Sequence, residues 1–195
     1  MKRLLFFMTL VFASPAAADK ISLNELSSYL NGLQTAKGEF AQVNGDGSIT
    51  TGTLHLKRPG RMRFENNPPD KAMIIVGGGQ VAVFDPKSDE PTRFPLNQTP
   101  LKIILERQVN LAQRNMVVGH SSDGTRTTIV AQDPKRPEYG NIQLVFTDDP
   151  VQLRQWIVDD NSGNITTVIL GDWQEGGSVP NRLFNIQSEM EKWDP

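Results

Sequence analysis

The sequence predicts a mainly β domain, read as a sheet, sandwich or barrel with two short helices resting on it. Three observations carry this. Many short runs alternate apolar and polar residues with a period of two. Clusters rich in Gly, Asn, Asp and Pro separate those runs. Only two segments show the period of a helix.

Taken in order, the chain opens with Lys2 and Arg3 and then an apolar run at 4–12. Ser14 and Pro15 follow, and Ala16, Ala17 and Ala18 form an A-x-A cleavage pattern. Nine apolar residues fall well short of the roughly 20 that span a bilayer. Residues 1–18 therefore read as a cleaved secretory signal peptide, leaving residues 19–195 as one exported domain beginning at Asp19. The chain has no cysteine, so no lipid can be attached behind the cleavage site, and the core must form without disulfides. The formal net charge of −2 becomes more acidic once Lys2 and Arg3 are removed. No basic stripe is present, which argues against nucleic acid. No second long apolar run argues for a membrane span.

A helix is predicted first. Ser22 and Glu25 have capping-box spacing, Ile21 and Leu26 stand as a hydrophobic staple, and Leu23, Leu26, Tyr29, Leu30 and Leu33 make one stripe. A second, short helix is expected from Thr99, with Pro100 in its first position and Leu101, Ile104 and Leu105 on its apolar face. Strands are expected at 53–57, 61–65, 72–76, 81–84, 127–131, 141–146, 153–158 and 165–170. Weaker strand patterns lie at 38–43, 116–119 and 183–187. At 73–76, 81–84 and 156–158 apolar residues occupy both parities, so both faces are buried there. Helices packed on one side of a sheet satisfy this, and so does a barrel wall with an apolar lumen.

Chemistry-bearing residues are sparse. His55 and His120 lack metal-ligand spacing, and no GxSxG elbow or cysteine nucleophile is present. Gly77, Gly78 and Gly79 lie between two strands, where a hairpin turn rather than a phosphate cradle belongs. Asp148 with Asp149, and Asp159 with Asp160, adjoin turn formers. The sequons at Asn97 and Asn164 matter only where exported proteins are glycosylated. No catalytic set and no cofactor is expected. Two hairpins stand out: 54–64 around Arg58, Pro59 and Gly60, and 153–168 with Trp156 on its first arm. From the residues alone, Arg58 reads as a solvated turn residue and Trp156 as a core side chain.

The run Gly52-Thr53-Leu54-His55-Leu56-Lys57-Arg58-Pro59-Gly60-Arg61-Met62-Arg63-Phe64 resembles the G-x-L-x-[KR]-R-P segment of the LolA family, the periplasmic carriers of outer-membrane lipoproteins. Gln98-Thr99-Pro100 with Leu101, Ile103 and Ile104 is similar to that family's N-T-P helix, and Gln155-Trp156 to its late hairpin. The resemblance implies an incomplete, unclosed antiparallel β-barrel, with short helices forming a lid over an apolar cavity. It implies that Arg58 locks the lid by hydrogen bonds to lid carbonyls. It places Met62, Phe64, Ile75, Leu101, Ile104 and Trp156 on the cavity wall. The implied function is a monomeric periplasmic carrier, not an enzyme. It would take lipidated proteins from an inner-membrane ABC-type releasing complex to an outer-membrane acceptor. A lipid-sensing regulator of the same fold is the alternative. One departure is visible: long members carry an extra C-terminal loop and strand, whereas this sequence stops at Pro195, soon after Phe184 and Ile186.

Overall fold

A computed structural model describes residues 20–194; the expected signal peptide lies outside the described residues. Helix α1 spans Leu23–Gly32, β1 Thr35–Val43, β2 Ile49–Lys57, β3 Arg61–Asn66, β4 Met73–Gly77, β5 Gln80–Phe84 and β6 Thr92–Pro95. Then come α2 at Lys102–Leu105, β7 at Val117–Ser122, β8 at Arg126–Gln132, β9 at Asn141–Asp148, β10 at Val151–Asp159, β11 at Ile165–Glu175 and α3 at Ile186–Met190. The strands form one sheet in the order β6-β5-β4-β3-β2-β1-β11-β10-β9-β8-β7, every pairing antiparallel. The two meanders meet at the β1–β11 seam. Strands β6 and β7 are edges and do not pair with each other, so the barrel is unclosed.

The sheet nevertheless curls. Phe64 on β3 and Trp156 on β10 are four strand steps apart, about 19 Å in a flat sheet at roughly 4.8 Å per step. Their ring centroids lie only 6.1 Å apart. Curling brings both ends of the sheet around one core that includes Phe40, Leu54, Leu56, Ile129, Leu144 and Val168. Helix α1 closes part of this inner face. Ser22 caps it as expected, accepting from the Glu25 N–H at 3.2 Å, and Leu26, Leu30 and Leu33 are buried below.

Residues 96–116 bridge the gap between edges β6 and β7. Helix α2 starts at Lys102, later than the sequence predicts. The chain is already coiled before it in three-residue turns, with Thr99 N–H on the Leu96 carbonyl, Lys102 N–H on Thr99 and Ile103 N–H on Pro100. Asn31 of α1 holds the bridge, donating to the Val109 carbonyl at 2.9 Å and accepting from the Val109 N–H at 2.8 Å.

The apolar residues of both parities on β4 and β5 have two separate causes. Ile74, Val76 and Val81 face the inner core. Ile75, Ala82 and Phe84 face outward into a second cluster, covered by Met73, Ile186, Met190 and Trp193. The predicted strand at 183–187 is instead a 3-10 turn, Asn181–Phe184, running into α3. Those residues cover an outer face and do not extend an edge, so their backbone has no ladder to join. Strand β6, for which the sequence shows no period-two signal, forms because β5 offers it an edge.

Buried Arg63 fastens the C-terminal segment. Its Nη1 donates to the Leu183 carbonyl at 3.1 Å, and its Nη2 pairs with Glu65 at 2.7 Å and Glu189 at 3.2 Å. Gly77 is where that segment approaches most closely: a Cβ there would stand 2.2 Å from the Phe184 carbonyl oxygen. Gly77→Ala is therefore expected to lower unfolding free energy by about 1–3 kcal/mol through overpacking. Denaturant unfolding monitored by tryptophan fluorescence checks this; unchanged stability would contradict the packing described.

Candidate functional site

The turn between β2 and β3 meets the bridge from below. Arg58 is 5% exposed. Its backbone N–H donates to the Gln34 carbonyl at 2.8 Å, and its Nη2 donates to the Glu106 carbonyl just past α2. Gly60, at φ 69° where side chains are strained, turns its N–H to the Leu105 carbonyl at 2.9 Å. Two groups of one tight turn thus hold the end of α2, where carbonyls lack intrahelical partners. Arg58 Nε and Nη1 are buried with no protein acceptor. Burial pulls the guanidinium below its ordinary value, against the attraction of the Glu106 carboxylate, yet arginine stays charged. A charged hydrogen bond contributes about 1.5–3 kcal/mol, while each unsatisfied donor costs about 1–3 kcal/mol. With two donors unsatisfied these contributions roughly cancel, so the contact selects one closed geometry rather than adding stability.

Beside this lid lies a cavity of about 580 Å³, partly open to solvent and lined in part by residues 98–101, Asp160 and Ser162. Phe64, Ile74, Val83, Phe94, Leu101 and Trp156 give it an apolar wall, and Gln42, Gln98, Glu138, Asp160 and Ser162 contribute polar groups. An apolar body with a few polar groups is typical of small-ligand sites, as is the volume.

Phe64, Leu101 and Trp156 line this cavity. Met62 and Ile104 lie deeper, in the inner core under the lid, 1% and 4% exposed. Ile75 requires correction: it is on the opposite face of β4, packed in the outer cluster beneath α3. The register explains the miss. Phe64 pairs with Ile74 and Met62 with Val76, and cross-strand partners share a face, so the inward residues are Ile74 and Val76. Val81, Val83, Phe94, Tyr139 and Val158 also line the cavity and were not picked out. Parity relative to Phe64 could have found Ile74; nothing in the sequence marks Phe94.

A second contact pins the lid at its side. Lys102 of α2 pairs with Asp133, in the loop after β8, at 2.6 Å and with Glu106 at 3.5 Å. The hydrogen bond from Lys102 holds Asp133 below the usual carboxylate range. Partial burial lowers Lys102, but Asp133 and Glu106 outweigh it and hold the amine above its ordinary value. Among the described residues, no cluster of three or more His, Cys, Asp or Glu side chains forms a metal site.

An unclosed antiparallel barrel, with helices across its inner face and an apolar cavity at the lid margin, defines the structural class. The family model described as "Outer membrane lipoprotein carrier protein LolA" matches residues 31–187, and the chain belongs to that family. It is 30% identical over 197 aligned positions to the outer-membrane lipoprotein carrier protein of Azotobacter vinelandii, covering 95% of this chain and 93% of that one. The protein of the same name from Pseudomonas paraeruginosa is 27% identical over 181 positions, covering 87% and 85%. Among solved structures, a putative outer membrane lipoprotein-sorting protein domain from Vibrio parahaemolyticus superposes with TM-score 0.54 at 9% identity. It covers 86% of this chain and 97% of that one, a likeness of fold alone.

The pH behaviour of the side pin follows from its two groups. Asp133 contributes fully above the ordinary carboxylate pKa of about 3.9, and its contribution is lost as pH falls through its depressed value. Lys102 contributes fully below about 10.4, and its contribution is lost as pH rises through its raised value. Lys102→Met should therefore raise α2 amide hydrogen exchange at neutral pH by at most about fivefold, as expected for a part-exposed pair. Matching exchange in wild type and variant would show that the pair does not restrain the lid.

Proposed function

We propose that the protein is a carrier of acyl chains, and that lipidated proteins are its cargo. The observation that carries this reading is the apolar cavity beside a lid held by a few polar contacts, the buried Arg58–Glu106 carbonyl bond among them. An acyl chain of about 15 methylenes left in water costs on the order of 12 kcal/mol at about 0.8 kcal/mol each. With each methylene near the roughly 30 Å³ that a water occupies, the closed cavity holds about 19 such groups, one chain rather than several. Lifting the α2 segment adds the surface around Met62 and Ile104, which becomes wall for further chains. The family and its curated relatives are named as outer-membrane lipoprotein carriers, which supports this cargo.

Residues 1–18 direct export and are removed, and residues 19–195 work as one domain in the periplasm. Among the described residues no helix is long and apolar enough to cross a membrane. Cargo is received from an inner-membrane ABC-type releasing complex and passed to an outer-membrane acceptor. Binding and release by lid movement need no cofactor and no catalysis, and a monomer suffices. Arg58 is the lid-locking residue: its bond is lost on loading and regained on unloading, so closure opposes tight retention of cargo.

Arg58→Leu is expected to accept acylated protein but transfer it about tenfold more slowly, a change corresponding to about 1.4 kcal/mol, since the closed geometry that displaces cargo is no longer selected. Mass spectrometry of material co-purifying with the exported protein tests the cargo, and a transfer assay with the variant tests the lock. Empty wild-type protein unable to take up acylated protein would refute the carrier reading; efficient hand-off by Arg58→Leu would refute the lock.

A further inference from the structure

A second concavity, of about 460 Å³, lies between the C-terminal segment and the β4–β5 turn, and shares no lining residue with the apolar mouth. Its two charged lining residues are Arg61, which opens β3, and Arg93 on the edge strand β6. Four amide side chains join them, those of Gln80, Asn181, Asn185 and Gln187, and no carboxylate lines it. The chain as a whole carries −2, so this groove has the sign opposite to that of the molecule around it. Arg93 is exposed and has neither an ion-pair nor a side-chain hydrogen-bond partner among the described residues. Arg61 is only lightly held: Nη1 donates to Asn181 Oδ1 at 3.2 Å and Nε to the Lys57 carbonyl at 3.4 Å.

We propose that this groove docks an acidic segment of a partner protein, with Arg61 and Arg93 as forked donors to its carboxylates and the amides flanking its backbone. Guanidinium groups match carboxylate geometry through paired N–H donors. Side-chain amides supply both the donors and the acceptors that an extended backbone needs. Size excludes a lone anion as the intended occupant. The volume equals about fifteen waters at roughly 30 Å³ each, far more than one inorganic ion fills. Half-buried Ile186 gives the groove some apolar surface that a peptide can cover and an ion cannot. Two cations are too few for a polynucleotide, whose binding rests on neutralising many phosphates.

The groove's separation from the mouth lets a partner sit there while cargo enters or leaves. Its position beside the lock adds consequence. Arg61 follows Arg58 by three residues, and Lys57 donates to the Val179 carbonyl at 2.7 Å just ahead of the groove. The turn that grips the lid on one side therefore leads directly into one docking residue, Arg61, on the other. The choice of partner rests on the carrier reading; the existence of the site does not.

Fluorescence anisotropy of a fluorescein-labelled peptide of alternating Gly and Glu, titrated with the exported chain, tests the proposal. A Gly–Gln peptide serves as the comparison. The Glu peptide should bind, the Gln peptide should not, and binding should weaken as salt rises from about 20 mM to about 500 mM. Arg93→Glu, at an exposed side chain without a partner, should weaken binding by about tenfold or more. Arg126→Glu, exposed on β8 and outside the groove, should leave it unchanged. Equal binding of both peptides, equal loss in both variants, or complete displacement by equimolar inorganic phosphate would overturn the proposal. Cargo uptake measured on the same samples is a separate readout, so failure of the groove and failure of the carrier reading are distinguishable.

Discussion

The gap between β6 and β7 sets the terms for everything else in the molecule. A curled sheet whose edges do not meet leaves its apolar inner face open to water, and backbone pairing alone cannot close it. Residues 96–116 and α1 close it with side chains instead, by burying Ile103, Ile104, Leu105, Val109 and Leu111. Each such side chain contributes about 1.5–3 kcal/mol when fully buried. Hydrophobic burial is non-directional, so area rather than bond geometry holds the lid on that face.

Polar contacts then decide which closed arrangement is adopted. They are few and specific: the paired bonds of Asn31 with Val109, the Leu111 N–H on Ser27 Oγ, the Arg58–Glu106 contact, and the Lys102–Asp133 pair. Arg58 matters beyond its single bond because it is a buried cation whose side chain meets one carbonyl, that of Glu106, in this closed arrangement. The lid is held in register by direction and held down by area, and these two causes can be altered separately.

Much of this was legible in the sequence, and the failures have physical causes. Helix α1 was legible because its signals are local, a cap and a stripe within a dozen residues. The β2–β3 hairpin was legible for the same reason, through alternation on both sides of Arg58, Pro59 and Gly60. Family resemblance, not periodicity, singled out Phe64, Leu101 and Trp156, which the structure places beside the cavity. Ile75 failed because a strand buried on both faces carries no mark of which face is which; the outer face is filled by Ile186, Met190 and Trp193, about a hundred residues later in the chain. Strand β6 failed because its existence depends on an edge offered by β5. Residues 183–187 alternate like a strand, but the sheet had no edge to give them, and they became the cover of its outer face.

That cover bears on how the molecule can move. Strands β3, β4 and β5 are packed on both faces, by the core inside and by the C-terminal segment outside, and Arg63 ties the segment to β3 through a carbonyl and two carboxylates. On the other side, the α2 segment is four helical residues between coils, held by the Arg58 and Gly60 bonds to its end, a part-exposed ion pair and the Asn31–Val109 bonds just beyond it. Regions with few polar ties and short regular structure open at lower free energy than doubly packed strands. Strands β3, β4 and β5 are therefore expected to open at higher free energy than the α2 segment, and Phe64 and Ile74 stand on the more firmly packed side of the cavity.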